Sequence, residues 1–276
     1  MFENKNRRFR DSKSLGDLEL EDLIDYGNIV TIDPGKNDLF NSMKESPNSN
    51  KHIYFRYTQK QRNHETKHDK YNGIREELSN IKINGKTIKE IEKKLLQYNS
   101  KTANFDKFKI YIANKVEINR LLFKHYEKCT YRKLRWNTFI NTCRSEDNMM
   151  NRFAAKMESP KKTLLVIGDW SKGGIKGSQP TITKKLRKIF IKRGYDCCLI
   201  WEHNTSKICS HCHGYANPIE NPQKADGSKI WKLIKCETCR SIHNRDHNAT
   251  KNMMYIFTKM IKGRKRPKKF CPKKKT

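Results

Sequence analysis

The sequence predicts an α/β protein in which a sheet flanked by helices carries a small cysteine-rich module and a basic tail. Three patterns lead to this class. Short apolar runs recur near both ends of the chain, periodic apolar residues fill the middle, and two Cys-x-x-Cys pairs lie near the C-terminus. The first pattern is typical of buried strands and the second of amphipathic helices.

The apolar runs predict strands at residues 27–33, 52–57, 164–168 and 197–201. The first run is broken by a Pro-Gly pair, which does not continue a ladder, and the second alternates between apolar and polar residues. Between the last two runs, residues 180–194 have a proline near the start, helical periodicity and a closing glycine. Strand, helix and strand at this spacing predict a right-handed parallel crossover.

The region of about 60–158 is predicted to be largely helical, and a final helix is predicted over 249–261. Apolar residues that recur at steps of three and four are predicted to face the core. They are Ile88, Ile91, Leu95 and Tyr98 in one segment, and Phe105, Phe108, Ile112 and Val116 in the next.

The charge of the chain points to a polyanionic partner. Its 276 residues include 60 Lys+Arg and 29 Asp+Glu, for a formal net charge of +31. A charge this large is self-repelling unless a polyanion neutralises it, so we expect nucleic acid as the partner and no membrane. No apolar run is long enough to span a bilayer and no secretory h-region is present, so we expect an intracellular protein. The basic segment from Lys262 onward suits either nuclear import or DNA binding, which leaves nucleus and cytoplasm open.

Four cysteines have the spacing of a zinc ribbon. Two Cys-x-x-Cys pairs are separated by 23 residues, which suits a hairpin that closes around one tetrahedral Zn²⁺. These ligands are Cys209, Cys212, Cys236 and Cys239. His211, His213 and His243 lie close by in sequence and are predicted to be exposed, since four thiolates already complete the coordination.

Acidic residues follow the predicted strands of this basic chain. Asp33, Asp169 and Glu202 each come at the end of a strand, and Asp246 precedes the last helix. Open α/β sheets place their chemistry at the carboxyl ends of strands, and grouped carboxylates bind hard cations such as Mg²⁺. Two such ions activate water and stabilise the leaving oxygen of a phosphodiester.

Three motifs resemble the TnpB nucleases of transposons and their eukaryotic and viral relatives, the Fanzor proteins. Thr31-Ile-Asp-Pro-Gly-Lys-Asn37 resembles the first RuvC motif of that family. Glu202-His-Asn-Thr-Ser-Lys-Ile-Cys-Ser-His-Cys212 resembles the start of its zinc ribbon, and Asn244-Arg-Asp-His-Asn-Ala249 the third RuvC motif. The resemblance covers about residues 29–258 and implies an RNase H-like (RuvC) fold with a mixed sheet, two metal ions and cleavage of DNA.

The resemblance also assigns roles. It implies that Asp33 bridges two Mg²⁺ or Mn²⁺ ions and that Asp246 and Glu202 hold one ion each. In typical TnpB proteins a glutamate ends the strand that here ends in Gly168 and Asp169. Fanzor proteins instead place a glutamate just ahead of the Thr-Ser-x-x-Cys motif. We therefore predict Glu202 as the third acid, with Asp169 as the second choice.

The resemblance divides the chain into a lead-in at 1–28, a nuclease domain at 29–203 plus 243–261, a zinc ribbon at 204–242 and a disordered basic tail at 262–276. Full-length relatives carry recognition and wedge domains before the first RuvC strand, so this chain corresponds to their nuclease half. We expect a DNA endonuclease, with RNA guidance and transposon association left open. The alternatives are an inactive zinc-ribbon nucleic-acid-binding protein and another RNase H-fold resolvase or transposase. Predicted phosphate contacts are Lys36, Lys172, Lys176, Lys207 and Arg245.

Overall fold

The computed structural model describes residues 13–14, 26–46, 51–169, 183–219, 225, 227, 230, 232–263 and 265–271. The chain forms two compact units. The first comprises Met1–Lys60 and Glu146–Thr276, and the second comprises Gln61–Ser145. The second unit is shorter than the predicted helical insertion of about 60–158, because the end of the last helix of that insertion contributes to the core of the first unit.

Eleven strands are found in the described residues: β1 (Lys13–Ser14), β2 (Asn28–Pro34), β3 (Asp38–Glu45), β4 (His52–Thr58), β5 (Lys82–Ile83), β6 (Lys86–Thr87), β7 (Thr163–Gly168), β8 (Asp196–Ile200), β9 (Ala216–Pro218), β10 (Leu233–Cys236) and β11 (Ile242–Asn244). The α-helices of that part of the chain are α1 (Gln59–Glu65), α2 (His68–Ser79), α3 (Ile88–Lys93), α4 (Phe105–Tyr126), α5 (Cys129–Met157), α6 (Thr183–Lys192) and α7 (Arg245–Ile261). None of these helices combines the length and apolar character needed to cross a bilayer.

A six-stranded mixed sheet forms the centre of the first unit, in the order β1-β8-β7-β2-β3-β4. Strands β2, β7, β8 and β1 run parallel to one another, whereas β3 is antiparallel to both β2 and β4. Helix α6 connects the parallel strands β7 and β8, as the crossover rule predicts. This architecture confirms the predicted mixed α/β sheet flanked by helices.

Each face of the sheet is buried against helices, because its central strands are apolar on both sides. Leu165 and Ile167 of β7 contribute to one core together with residues of α5 and α6. Leu164 and Val166 contribute to the opposite core, which contains residues of α7. Thr31 of β2 also faces α7 and donates a hydrogen bond to the carbonyl of Thr250 over 3.0 Å. The predicted doubly buried strand at 164–168 is therefore found.

Strand β3 is not predicted by the sequence patterns. This strand pairs with β2 and β4, and all of its residues except Glu45 are buried. Its Asp, Asn, Ser and Lys side chains interrupt the apolar pattern, so neither an alternating nor a continuous run marks it. The polar residues are tolerated there because they form internal contacts, such as the ion pair of Lys44 with Glu158 at 2.6 Å.

Two predicted irregular segments contain ordered structure. Within the predicted lead-in at 1–28, Lys13–Ser14 forms β1 and extends the sheet beside β8. The prediction of a disordered tail at 262–276 is wrong for residues 265–271, where Phe270 is buried in the core beneath α7. Burial of the Phe270 ring offsets the entropic cost of ordering this charged segment. The prediction of disorder was based on the high charge of the segment and did not take this aromatic residue into account.

The helices predicted for the second unit are found, but the predicted core positions are confirmed for Ile88 and Ile91 of α3 and wrong for the first half of α4. Ile88 and Ile91 of α3 form a core with Ile118 and Leu122 of α4. The predicted core residues at the start of α4 are exposed instead: Phe105, Phe108, Ile112 and Val116. Periodicity identifies an apolar face of a helix, but it does not reveal whether another element covers that face.

Candidate functional site

Asp33 lies at the carboxyl end of β2, as predicted, and close to Asp246. In the ladder between β2 and β3, Asp33 pairs with Asn41. The side-chain Nδ2 of Asn41 donates a hydrogen bond to Oδ2 of Asp246 over 3.1 Å. Burial and, to a smaller extent, the nearby charge of Asp246 raise the pKa of Asp33 far above its ordinary value.

Asp246 is in the first turn of α7, which begins four residues earlier than the predicted helix. Asn244 caps this helix, because its Oδ1 accepts hydrogen bonds from the backbone N–H groups of Asp246 (3.0 Å) and His247 (3.2 Å). The cap fixes the start of the helix and therefore the direction in which the side chain of Asp246 points. Burial raises the pKa of Asp246, and Lys232 opposes that shift.

Glu202 follows β8 and extends over the end of the neighbouring strand. A Cβ atom at Gly168 would overlap the Glu202 carboxyl group, so the glutamate occupies the space that a side chain at residue 168 would fill. Oε1 of Glu202 is buried and has no hydrogen-bond partner among the described residues. Burial, followed by repulsion from Asp33 and Asp169, raises the pKa of Glu202.

The structure thus places Asp33, at the carboxyl end of β2, close enough to interact electrostatically with both Glu202 after β8 and Asp246 at the start of α7. Asp169, the second choice, directly follows β7 and donates its backbone N–H to the carbonyl of Ile200 over 2.8 Å. Desolvated carboxylates that repel one another are stable as anions only with a cation between them. The unpartnered Oε1 of Glu202 and the repulsion of Asp33 with both other acids therefore fit a divalent metal.

Three polar residues beside this cluster are not predicted by the sequence patterns: Asp38, Asn41 and Lys232. Asp38 and Asn41 are buried polar residues of β3. Lys232 forms an ion pair with Asp38, and its Nζ lies 3.7 Å from Oδ2 of Asp246. Burial raises the pKa of Asp38, but hydrogen bonds from Lys232 and Asn41 outweigh that effect and lower it overall. Asp38 and Asn41 were not predicted because they lie on β3, the strand that the sequence patterns do not reveal.

The predicted phosphate contacts lie partly within the described residues. Lys36, Lys207 and Arg245 have exposed side chains, and Arg245 directly precedes Asp246. Lys172 and Lys176 lie outside the described residues. Arg245 is also close enough for its charge to lower the pKa of Asp33.

The four predicted zinc ligands converge in a second site. Their Sγ atoms all lie within 4.8 Å of one another, with 3.7 Å between Cys209 and Cys239 and 3.3 Å between Cys212 and Cys236. Zn–S bonds of about 2.3 Å in a tetrahedron separate the sulfurs by about 3.8 Å, so this donor set fits one zinc ion. Strands β9, β10 and β11 form a three-stranded antiparallel sheet, and Cys236 is the last residue of β10.

The histidines near the cysteines differ in environment. His211 is exposed as predicted, whereas His213 packs on Tyr255 with ring centroids 4.2 Å apart. His243 is half-buried, and its Nε2 lies 3.3 Å from Sγ of Cys209. A neutral imidazole with its proton on Nε2 would donate a hydrogen bond to a thiolate at that distance and stabilise it. The prediction that all three histidines are exposed is wrong for His213 and His243, which are both half-buried.

Comparison with known proteins gives a match that covers the cysteine module. Residues 181–253 match the family model of the Cas12f1-like TNB domain. This segment includes β8, the four cysteines and the first half of α7. No curated protein matches the chain.

Solved structures give weaker likenesses. The mini-RNA-guided endonuclease CRISPR-Cas phi3 is similar with a TM-score of 0.49 and 11% identity, over 84% of this chain and 45% of that one. A CRISPR-Cas12f ternary complex is similar with a TM-score of 0.45 and 15% identity, over 88% and 40%. The chain thus spans less than half the length of either protein. The Cas12f1-like TNB domain over residues 181–253 confirms the predicted relationship to TnpB-type nucleases, on the segment that holds Glu202, the four cysteines and Asp246.

Proposed function

We propose that the protein is a metal-dependent endonuclease that hydrolyses phosphodiester bonds of DNA. The observation that carries this proposal is the convergence of Asp33, Glu202 and Asp246, in which a buried carboxylate oxygen of Glu202 has no partner among the described residues. The match to a Cas12f1-like domain supports a nuclease, since that segment contains two of the three acids.

The chain's residues have distinct roles in this reaction. Asp33 interacts electrostatically with both of the other acids, so Asp33 and Glu202 would hold one Mg²⁺ or Mn²⁺ ion, and Asp33 and Asp246 a second. Such ions supply an activated water and stabilise the leaving oxygen. Asn41 orients Asp246 through its amide, and Gly168 leaves room for Glu202. Lys36, Lys207 and Arg245, whose side chains are exposed, would bind the flanking phosphates.

The cysteine module has a structural role in this proposal. Zn²⁺ held by Cys209, Cys212, Cys236 and Cys239 orders three short strands that bury few apolar residues. Because β11 leads directly into α7, an ordered module also fixes the start of the helix that carries Asp246. Elemental analysis of the purified protein is expected to give one zinc per chain.

A cleavage assay tests the function. Purified protein is incubated with labelled single-stranded DNA and Mg²⁺ or Mn²⁺, and Asp33→Asn is compared with the unsubstituted chain. Loss of the bridging carboxylate is expected to slow cleavage by about 100-fold or more, since metal ions contribute several kcal/mol to this chemistry. Asp106→Asn, an exposed substitution of the same type on α4, is the matched control and should retain full activity.

Two outcomes favour the alternatives. DNA binding without cleavage would indicate an inactive zinc-ribbon binding protein, and selective cleavage of four-way junctions would indicate a resolvase. RNA guidance and association with a transposon stay predictions from the motif resemblance. Sequencing of RNA that co-purifies with the protein tests guidance, since a discrete structured species supports it and random host RNA contradicts it.

A further inference from the structure

Lys232 places a positive charge inside the acidic cluster. Its side chain is 39% exposed and forms an ion pair with the almost fully buried Asp38. The same Nζ lies 3.7 Å from Oδ2 of Asp246. Asn41 donates to both of these carboxylates, over 3.2 Å to Asp38 and 3.1 Å to Asp246. One ammonium and one amide therefore occupy the space between Asp38 and Asp246.

The cysteine module fixes the position of this ammonium. Lys232 directly precedes β10, whose first residue, Leu233, pairs with Asn244 of β11. The carbonyl of Lys232 accepts a hydrogen bond from the backbone N–H of Arg245 over 2.7 Å. Lys232 is thus held beside the first turn of α7, next to Asp246. The strand that follows it ends at Cys236, one of the four clustered cysteines.

A cation at this place affects where a metal binds. An ammonium repels a divalent ion through the same Coulomb interaction with which it attracts the carboxylates. Oδ2 of Asp246 is already shared with Asn41 and Lys232, which leaves Asp33 and Glu202 as the acids that meet no ammonium in the described contacts. Asp38 is compensated by Lys232 and lies close to Arg56, whose NH1 is 4.0 Å from its Oδ2.

We propose that Lys232 is a positioning residue that lies on the Asp38–Asp246 side of the acidic cluster as an internal cation, so that a divalent ion held by Asp246 binds more weakly than one on the Asp33–Glu202 side. The inference rests on the proposed function, because it assumes that the acids bind metal. It predicts that removal of the ammonium increases the affinity of the cluster for a divalent ion. Damage to the structure would lower that affinity, so an increase separates this role from a structural one.

Titration of the zinc-loaded protein with Mn²⁺ tests the proposal, with free Mn²⁺ followed by electron paramagnetic resonance. Lys232→Met is expected to bind Mn²⁺ about tenfold more tightly or to bind one additional ion, and Lys232→Gln is expected to do the same. Lys232→Arg keeps the charge and should keep the original affinity. Lys235→Met is the matched control, because Lys235 is an exposed lysine of β10, the strand that Lys232 precedes, and the change in net charge is identical.

The outcomes separate this inference from the proposed function. Unchanged or weaker Mn²⁺ binding in both Lys232→Met and Lys232→Gln overturns the role of Lys232, as does an equal increase in Lys235→Met. Asp33→Asn identifies the binding that belongs to the acidic cluster. If the unsubstituted protein shows no Mn²⁺ binding that depends on Asp33, the proposed function itself fails and the inference fails with it.

Discussion

Gly168, the last residue of β7, lies against the side chain of Glu202, which follows the neighbouring strand β8. The carboxyl group of Glu202 lies where the Cβ of any other residue at position 168 would be. The atoms that would be displaced belong to the end of a flexible side chain, so a larger residue costs little in packing. It does, however, move a carboxylate that is predicted to bind metal.

Gly168→Ala is therefore expected to reduce DNA cleavage by about tenfold or more while it changes the free energy of unfolding by less than about 1 kcal/mol. Gly73→Ala is the matched control. A Cβ added at Gly73, in α2, would meet no atom within 4 Å, so this variant is expected to gain about 0.5–1 kcal/mol of stability with full activity. Activity and thermal unfolding measured on both variants check the expectation. Full activity in Gly168→Ala would show that the position of Glu202 is unimportant.

The raised pKa values of Asp33 and Glu202 also affect stability. An acid whose pKa is higher in the folded than in the unfolded state binds its proton more tightly when folded. Its contribution to stability is thus present at low pH and decreases as the pH rises from about 4, the ordinary value, through the folded pKa. Without a divalent cation, the cluster destabilises the protein at neutral and alkaline pH.

Asp33→Asn is expected to raise the melting temperature of the zinc-loaded protein by about 3 °C or more at about pH 8 when no Mg²⁺ or Mn²⁺ is added. The gain should shrink towards about pH 6, because the carboxyl group of the unsubstituted protein then takes up a proton. Differential scanning fluorimetry at both pH values measures the difference. A gain that does not change with pH would mean that Asp33 is ionised throughout this range.

At the scale of elements, α7 connects the sheet to the cysteine module through two asparagines one turn apart. The Nδ2 of Asn248 donates to the carbonyls of Thr205 (3.2 Å) and Ile208 (2.7 Å), and the Nδ2 of Asn252 donates to the same two carbonyls over 2.7 and 2.6 Å. Asn248 also accepts from the backbone N–H of Ser210 over 2.8 Å. These bonds hold the loop between Glu202 and Cys209, the first cysteine of the cluster, against the helix.

Because the two amides share their acceptors, each partly replaces the other. Asn248→Ala and Asn252→Ala are each expected to cost about 1–2 kcal/mol, with the larger loss for Asn248, and the double variant should cost about 1 kcal/mol more than their sum. Urea denaturation of the single and double variants gives these values, and Asn151→Ala, an exposed change on α5, is the control. Strict additivity would show that the two amides act independently.

At the scale of the whole molecule, the net charge is +31. This charge has consequences for binding, because lysine and arginine side chains that contact the phosphates release counterions from DNA. We expect the affinity of the cleavage-deficient Asp33→Asn protein for single-stranded DNA to fall by about a thousandfold between about 50 and about 200 mM salt. Fluorescence anisotropy measures this dependence.

Variants that remove the positive charge of Lys36, Lys207 or Arg245, one at a time, refine this prediction. Each is expected to weaken binding for every DNA sequence and to reduce the slope of log affinity against log salt by about 0.7–0.9. Lys93→Ala, at an exposed lysine of α3, provides the comparison for a general loss of one charge. A slope that none of the three variants changes would place the DNA elsewhere on the protein.

The sequence by itself determined the strands with continuous or alternating apolar patterns, the spacing of four cysteines and the acids at strand ends. These features depend on residues close together in the chain, so local periodicity and short motifs reveal them. Glu202 was predicted ahead of Asp169 because a motif placed it there. The close approach of Glu202 to Gly168 and its repulsion from Asp33 join strands that are far apart in the sequence. Only the folded chain shows these contacts.

Only the tertiary structure decided which side chains meet. It showed that β3 lies between β2 and β4, which brings Asp38 and Asn41 beside Asp246. It also showed that Phe270 is buried, although the charge of its segment had predicted disorder. The apolar residues at the start of α4 are exposed, although their periodicity had predicted a core face. Lys232 is the clearest case, because a lysine in a chain with 60 basic residues carries no signal until the pairing of β10 with β11 places it between two carboxylates.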